Sequence, residues 1–249
     1  MGTIIQCKVG DESILLDMDS MEDQPGNREF WRAKNYETLE PGTIKWIDTF
    51  FKKGDVIYDI GANIGQYSLY AAKKLKKNCC VIAFEPESLN YAKLNRNIFA
   101  NGLSDTVTAY CLALSDIMYF DYFYVRRFGP GQALHSFGTK TGQDRMEFSP
   151  EYRQGMMSVS IDVLTEKFSL PFPNHIKIDV DGIEALIVKG AANTMADPRL
   201  RSVLVEIYII GDIVSEISEM FYRQGFSLSN KDCLTIKEGI TGNFIFARK

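Results

Sequence analysis

Val56-Ile57-Tyr58-Asp59-Ile60-Gly61-Ala62-Asn63-Ile64-Gly65-Gln66-Tyr67-Ser68 decides the reading of this chain. The apolar run 56–60 predicts a short buried strand. A glycine-bearing turn follows it. Ile64, Tyr67, Ser68, Ala71, Ala72 and Leu75 then fall at the spacing of one helical face. A strand that passes through glycines into a helix is a unit of an open α/β sheet. Such sheets bind ligands at the carboxyl ends of their strands. Gly61 and Gly65 allow a sharp turn and a close approach of backbone to ligand, although a plain tight turn would use them too.

The pattern continues on both sides. Val81–Phe84 predicts a second strand. Pro86 and Gly102 bracket a helix with the stripe Tyr91, Leu94, Ile98 and Phe99. Further strands are expected at Val107–Leu112, Ile176–Val180, Ser202–Ile207, Gly225–Ser229 and Gly242–Ala247, and further helices over Glu184–Val188 and Asp212–Arg223. Upstream, Thr3–Val9 and Ser13–Met18 read as a hairpin around Gly10-Asp11, and Asn27–Tyr36 and Thr43–Phe51 as helices. The expected fold is α/β: a mostly parallel seven-stranded sheet with helices on both faces and an antiparallel last strand. A single domain is expected over 1–249, with 1–52 as an N-terminal hairpin and helical cap and 53–249 as the core. Residues 115–174 are too long for an ordinary connection. They are expected to form a substrate wall, a lid or a subunit contact, the last implying a homodimer.

Bulk composition narrows the function. The 249 residues are 45% hydrophobic and 24% charged, with a formal net charge of -4. An acidic balance disfavours a nucleic-acid partner, which needs a basic surface. Cys7, Cys79, Cys80, Cys111 and Cys233 are odd in number and contain no C-x-x-C pair, so they read as thiols in a reducing compartment rather than a zinc cluster. The first residues lack the apolar core of a leader, and no apolar run nears the roughly 20 residues of a membrane span. A cytoplasmic protein with no membrane partner is expected.

The second strand adds chemistry. It ends in Glu85, and 85 − 65 = 20. An acid about 20 residues past the glycines is placed to accept hydrogen bonds from ribose hydroxyls. The competing reading is a solvated acid near a helix start. Nicotinamide dinucleotides and S-adenosylmethionine both carry that ribose. The turn separates them: Asp59 precedes the first glycine, and a carboxylate there opposes a pyrophosphate but suits a cationic amino-acid end. A nicotinamide-dependent dehydrogenase is therefore the disfavoured alternative. A methyltransferase-like binding module that has lost activity is the other. The intact Asp59–Gly65 turn and Glu85 argue against it.

Taken together, Asp59–Gly65 with Gln66-Tyr67-Ser68, Phe84-Glu85-Pro86, Ala113-Leu114-Ser115-Asp116, Ile176–Glu184 and Gly190-Ala191 resemble the FkbM family of methyltransferases. The likeness covers roughly Glu40 to Lys249, and Glu40-Pro41 is similar to the family's acidic segment before the fold. Asp181 stands where the family more often has Glu. The resemblance implies a class I methyltransferase (Rossmann-like) fold, S-adenosylmethionine as cofactor, and O-methylation of a sugar, glycan precursor or natural product. It implies cofactor contacts from Glu40, Asp59, Gly61, Ala62, Asn63, Gly65, Tyr67, Ser68, Glu85, Pro86, Ala113, Leu114, Ser115 and Asp179.

A hydroxyl acceptor is a weak nucleophile, so a general base or a metal would help it. Asp179, Asp181 and His135 are the catalytic candidates. Asp179, Asp181 and Glu206 could instead hold a hard divalent cation. The alternative is that Asp181 and Glu184 cap the next helix, which is favoured for Glu184. His135 reads equally as an active-site base or a surface loop residue, and His175 as structural. Arg126, Arg127 and Arg145 could grip an acidic acceptor, or form a solvated loop face. The aromatic run Tyr119–Tyr124 alternates like a strand and reads as core or interface.

Overall fold

The computed structural model describes residues 2–229 and 239–248. In chain order the elements are β1 (Thr3–Val9), β2 (Glu12–Met18), α1 (Arg28–Lys34), α2 (Tyr36–Leu39), α3 (Pro41–Phe50), β3 (Val56–Ile60), α4 (Gln66–Lys74), β4 (Cys80–Phe84), α5 (Ser88–Ala100) and β5 (Val107–Tyr110). There follow β6 (Ala113–Leu114), β7 (Tyr119–Val125), β8 (Ser136–Phe137), β9 (Tyr152–Val159) and α6 (Ile161–Glu166). The chain continues with β10 (His175–Ile178), α7 (Glu184–Lys189), α8 (Ala192–Ala196), β11 (Ser202–Tyr208), α9 (Ile213–Arg223), β12 (Ser227–Leu228) and β13 (Thr241–Ala247).

The main sheet has seven strands in the order β12-β13-β11-β10-β3-β4-β5. Its neighbours from β11 to β5 are parallel, and β13 is antiparallel to both β11 and β12. This is the expected α/β sheet. Burial explains why its strands read as apolar runs, since parallel strands are covered on both faces. Ile57, Val81, Ala83 and Val107 pack with Trp46 and Ile47 of α3, Leu69 of α4, and Leu94 and Ile98 of α5. Tyr58, Ile60, Ile82, Phe84, Ile176 and Val205 face the other way, onto Leu164, Ile187, Met195 and Phe221 of α6–α9. Each such aliphatic or aromatic side chain contributes about 1.5–3 kcal/mol when fully buried.

Two features differ from the expected pattern. The third strand ends at Tyr110, and the chain leaves the main sheet there. Ala113-Leu114 pair instead with Ser158-Val159. Residues 115–174 supply three strands that join β6 in a second, four-stranded sheet of order β6-β9-β7-β8, followed by α6. In β7, Phe123 and Val125 are buried while Phe120 and Tyr122 are exposed.

The N-terminal hairpin is anchored by side chains rather than by the sheet. Asn97 and Asn101 of α5 accept the Asp17 and Leu15 N–H groups at 2.7 and 2.9 Å, occupying the free edge of β2. Beside them Lys93, 3% exposed, is ringed by Asp17, Asp19 and Glu29 at 3.1, 2.7 and 2.7 Å.

At the amino ends of β10 and β11, His175 joins Ser202 at 2.7 Å and Asp55 at 3.0 Å. The connectivity is that of a hydrolase triad. However, Ser202 is wholly buried and its Oγ accepts the Trp46 Nε1–H at 2.9 Å, so the set fastens α3 to the sheet. His175 is structural, as expected. Among the described residues Cys7, Cys79, Cys80 and Cys111 are unbridged, and Cys233 lies outside them. No described helix is long and apolar enough to cross a membrane.

Candidate active site

The turn after β3 is fixed by contacts that only glycine permits. Gly61 and Ala62 donate their N–H groups to Phe84 O at 2.9 and 3.0 Å, tying the turn to the end of β4. Gly61 has φ +79°, and a Cβ there would lie 1.8 Å from Asp179 O. The turn is thus pressed against the chain leaving β10. Asn63 also sits in the left-handed region, at φ 52°. Its N–H donates to Glu85 Oε2 at 2.7 Å, and its Nδ2 donates to Gln132 O at 2.8 Å. Gln132 O also accepts from Asn90 Nδ2 at 3.1 Å. The insertion is therefore clamped onto the turn.

These elements line a cleft, open to solvent, with a cavity volume of about 90 Å³. Of the sequence candidates, Gly61, Ala62, Asn63, Tyr67, Glu85, Pro86, Ala113, Leu114, His135, Asp179 and Asp181 line it. Glu40, Asp59, Gly65, Ser68, Ser115 and Glu206 do not. Asp59 belongs to the strand face toward α4, where it accepts from Ser68 Oγ at 2.6 Å, and its other oxygen has no partner. Gly65 opens α4 at φ +92°. Ser115 donates its N–H to Val159 O at 3.1 Å, extending the β6–β9 pairing of the second sheet.

Glu85 lies at the end of β4 with 4% exposure, its second oxygen accepting the Glu87 N–H at 2.8 Å. Burial pushes its carboxyl up to about 8.

The expected cation set is corrected by the register. Ile178 lies opposite Val205, which brings the next residues, Asp179 and Glu206, side by side. Glu40, which precedes α3, completes the cluster; the three carboxyl groups approach within 4.8 Å of one another, and Asp181 is not among them. Asp181 lies beyond the strand end, on the cleft wall. Moreover, the buried Lys177 ammonium is paired with Asp179 and lies 4.9 Å from the Tyr67 ring centre. A fixed cation is thus already paired with one of the three carboxyl groups. Burial pushes Glu206 well up, helped by the charges of Asp179 and Glu40, and burial likewise raises Glu40. Burial opposes the ionised form of Asp179 too, but Lys177 more than compensates and holds it below the usual range.

Asp181 has a different environment. Its Oδ2 accepts the His135 N–H at 3.0 Å. Burial, then the Asp179 charge, push the Asp181 carboxyl up to about 7. The His135 ring accepts the Arg126 N–H on Nδ1 at 3.2 Å. Burial, with Arg126 and Arg32 nearby, pushes this imidazole down to about 4. A neutral ring that accepts on Nδ1 carries its proton on Nε2, so His135 presents a donor to the cleft rather than a base. Glu184 is the first residue of α7 and accepts the Gly182 N–H at 3.0 Å, a bond to the chain before the helix; the N-cap is Ile183, with no side-chain cap bond, so Glu184 sits in the first turn without capping it.

Of the two readings of the arginines, the cleft does not carry the grip on an acceptor. Arg126, Arg127 and Arg145 are not on the cleft wall, and Arg126 instead stacks 4.6 Å from the Phe148 ring centre. The cation that lines the cleft is Arg32 of α1.

A model of the family described as Methyltransferase FkbM domain matches residues 59–228, well over half of the chain. The chain belongs to the FkbM methyltransferase family. It is 26% identical over 180 residues to hexuronic acid methyltransferase AglP of Haloferax volcanii, a match covering 72% of this chain and 66% of that protein. It is 27% identical over 200 residues to 31-O-demethyl-FK506 methyltransferase FkbM of Streptomyces tacrolimicus, covering 71% and 74%. The crystal structure of methyltransferase FkbM from Methylobacillus flagellatus KT shares the fold with TM-score 0.53 at 14% identity. That match covers 90% of this chain and spans about half, 55%, of the other.

This FkbM methyltransferase carries site residues that its sequence did not single out: Arg32, Asn90, Gln132, Ser136 and Lys177. Lys177 alone left a signal, a lone cation between Ile176 and Ile178 in an otherwise apolar strand.

Proposed function

We propose that this methyltransferase uses S-adenosylmethionine to methylate a hydroxyl oxygen on a sugar, glycan precursor or natural product. The observation that carries the reading is the Asp181 carboxyl, pushed up to about 7, on the same cleft wall as the turn that closes Gly61 onto Asp179 and Asn63 onto Glu85. A base near neutral pH is what activation of a hydroxyl needs. The names of the relatives, a hexuronic acid methyltransferase and an O-demethyl-FK506 methyltransferase, favour an oxygen acceptor.

The residues present fit the cofactor. Glu85 is buried at the strand end where ribose hydroxyls would donate to it. Phe84, Ala113 and Leu114 offer an apolar slot for an adenine. Asp179, kept ionised by Lys177 and lying on the cleft wall, offers a carboxylate to a cationic amino-acid end. When bound, S-adenosylmethionine supplies an electrophilic methyl group on a sulfonium. Asp181 then accepts the proton of the acceptor hydroxyl, and its bond from His135 N–H holds it in place. Gln132, Asn63 and Asn90 hold residues 115–174 as a wall that orients the acceptor and excludes water. The unbridged cysteines fit a cytoplasmic location.

Calorimetric titration with S-adenosylhomocysteine, on the wild type and on Glu85→Ala, tests this. Micromolar binding that the variant loses supports it. No binding to the wild type overturns it. If binding holds, methylation of sugar hydroxyls is then followed by mass spectrometry.

A further inference from the structure

The cleft wall presents hydrogen-bond donors that the protein itself does not use. His135 is 5% exposed, and its Nε2 has no partner among the described residues. Ser136 is 4% exposed, and its Oγ likewise has none. Both line the cleft. A buried polar group left unpaired is costly, which points to a ligand that completes it. The His135 donor cannot be turned into an acceptor by a change of tautomer, because Nδ1 is engaged by the Arg126 N–H.

A third donor group joins them. Arg32 gives its Nε–H to Gly131 O at 2.8 Å, which fixes the guanidinium over the same segment that carries His135 and Ser136. Its two Nη groups have no acceptor on the protein among the described residues, and it is the one Lys or Arg side chain on the cleft wall. Neither nearby acid is hydrogen-bonded to it, although both feel its charge: Asp179 is paired with Lys177, and Asp181 accepts the His135 N–H. A planar fork with free N–H groups, a fixed imidazole N–H and a hydroxyl together match the oxygens of a carboxylate.

We propose that the acceptor is an acidic sugar or similar molecule whose carboxylate is seated by Arg32, His135 Nε2–H and Ser136 Oγ beside Asp181. This rests on the methyltransferase reading above and names its substrate class. Arg32 sets acceptor specificity, and Asp181 takes the proton of a neighbouring hydroxyl.

The test titrates methyl glucuronide and methyl glucoside, which differ in the carboxylate, into protein saturated with S-adenosylhomocysteine. The acid is expected to bind at least about tenfold more tightly, the worth of one charge-assisted pair. In Arg32→Gln that preference falls to about twofold or less, while affinity for S-adenosylhomocysteine stays within about twofold of the wild type. Ser136→Ala, which leaves the Gly131 bond intact, weakens the acid selectively and guards against a folding artefact. Equal binding of the two sugars, or binding of neither, overturns the proposal. So does a loss of S-adenosylhomocysteine affinity in Arg32→Gln, which would assign the donors to the cofactor's own carboxylate. Failure of S-adenosylhomocysteine to bind the wild type at all overturns the cofactor reading instead, and this one with it.

Discussion

Asp181 Oδ2 accepts the backbone N–H of His135 at 3.0 Å, so the residue after β10 and the second sheet meet at one hydrogen bond. The candidate base is thereby positioned by the element that forms the acceptor wall. Movement of that wall is movement of the base.

Asp181 works as a base only when ionised. Its carboxyl lies at about 7, so kcat/KM is expected to fall as pH drops below about 7 and to level off above it. Asp181→Asn should lower kcat by about 10²–10⁴-fold and remove that limb of the profile. S-adenosylhomocysteine affinity should change little. An unaltered kcat would move the proton transfer to another residue.

Gly61→Ala places a methyl group 1.8 Å from Asp179 O, on a backbone with φ +79°. Strain and overpacking should cost about 1–3 kcal/mol or more. Because the displaced atoms belong to the cleft, ligand affinity should fall by more than the loss in melting temperature implies. Thermal melts with and without S-adenosylhomocysteine measure both.

Glu184 is 5% exposed, and burial pushes its carboxyl from the ordinary 4.5 up to about 8. Between those values the folded chain keeps a proton that the unfolded chain releases. Folding stability therefore drops as pH climbs through that window. Glu184→Gln keeps an acceptor for the Gly182 N–H and removes the titration. Its melting temperature relative to the wild type should rise between about pH 5 and pH 8. A constant difference across that range would contradict the assignment.

Lys93→Met would leave Glu29 buried without its counter-charge and Asp17 with Arg96 alone. Breaking a buried pair from one side costs about 3–5 kcal/mol, a loss that urea titration would report as a lower midpoint. The variant should also loosen the hairpin first, visible as faster amide exchange at Leu15 and Asp17.

Legibility in the sequence followed burial. Val56–Ile60 and Ser202–Ile207 read clearly because both faces of a parallel strand are apolar. Of the second sheet, Tyr119–Tyr124 alone read as a strand: Tyr152–Val159 carries Arg153, Gln154 and Gly155, and Ser136-Phe137 is too short to show any period. Glu85 and Asp179 were legible from spacing, being at strand ends. Arg32 was not, since its place follows from α1 meeting Gly131 across 99 residues. The cation set misread Asp181 for Glu40 because adjacency in sequence stood in for adjacency across strands.

The buried ring around Lys93 bears on how the chain can be divided. The segment that the family model matches begins at Asp59, but the counter-charges of Lys93 and the Trp46 cover over His175 and Ser202 come from before that point. A fragment cut at the start of that shared segment would retain every glycine of the turn and most of the cleft. Yet it would carry a bare ammonium in an uncovered core face. The unit of kinship is smaller than the unit of folding, and an expression boundary drawn from the first would miss the second.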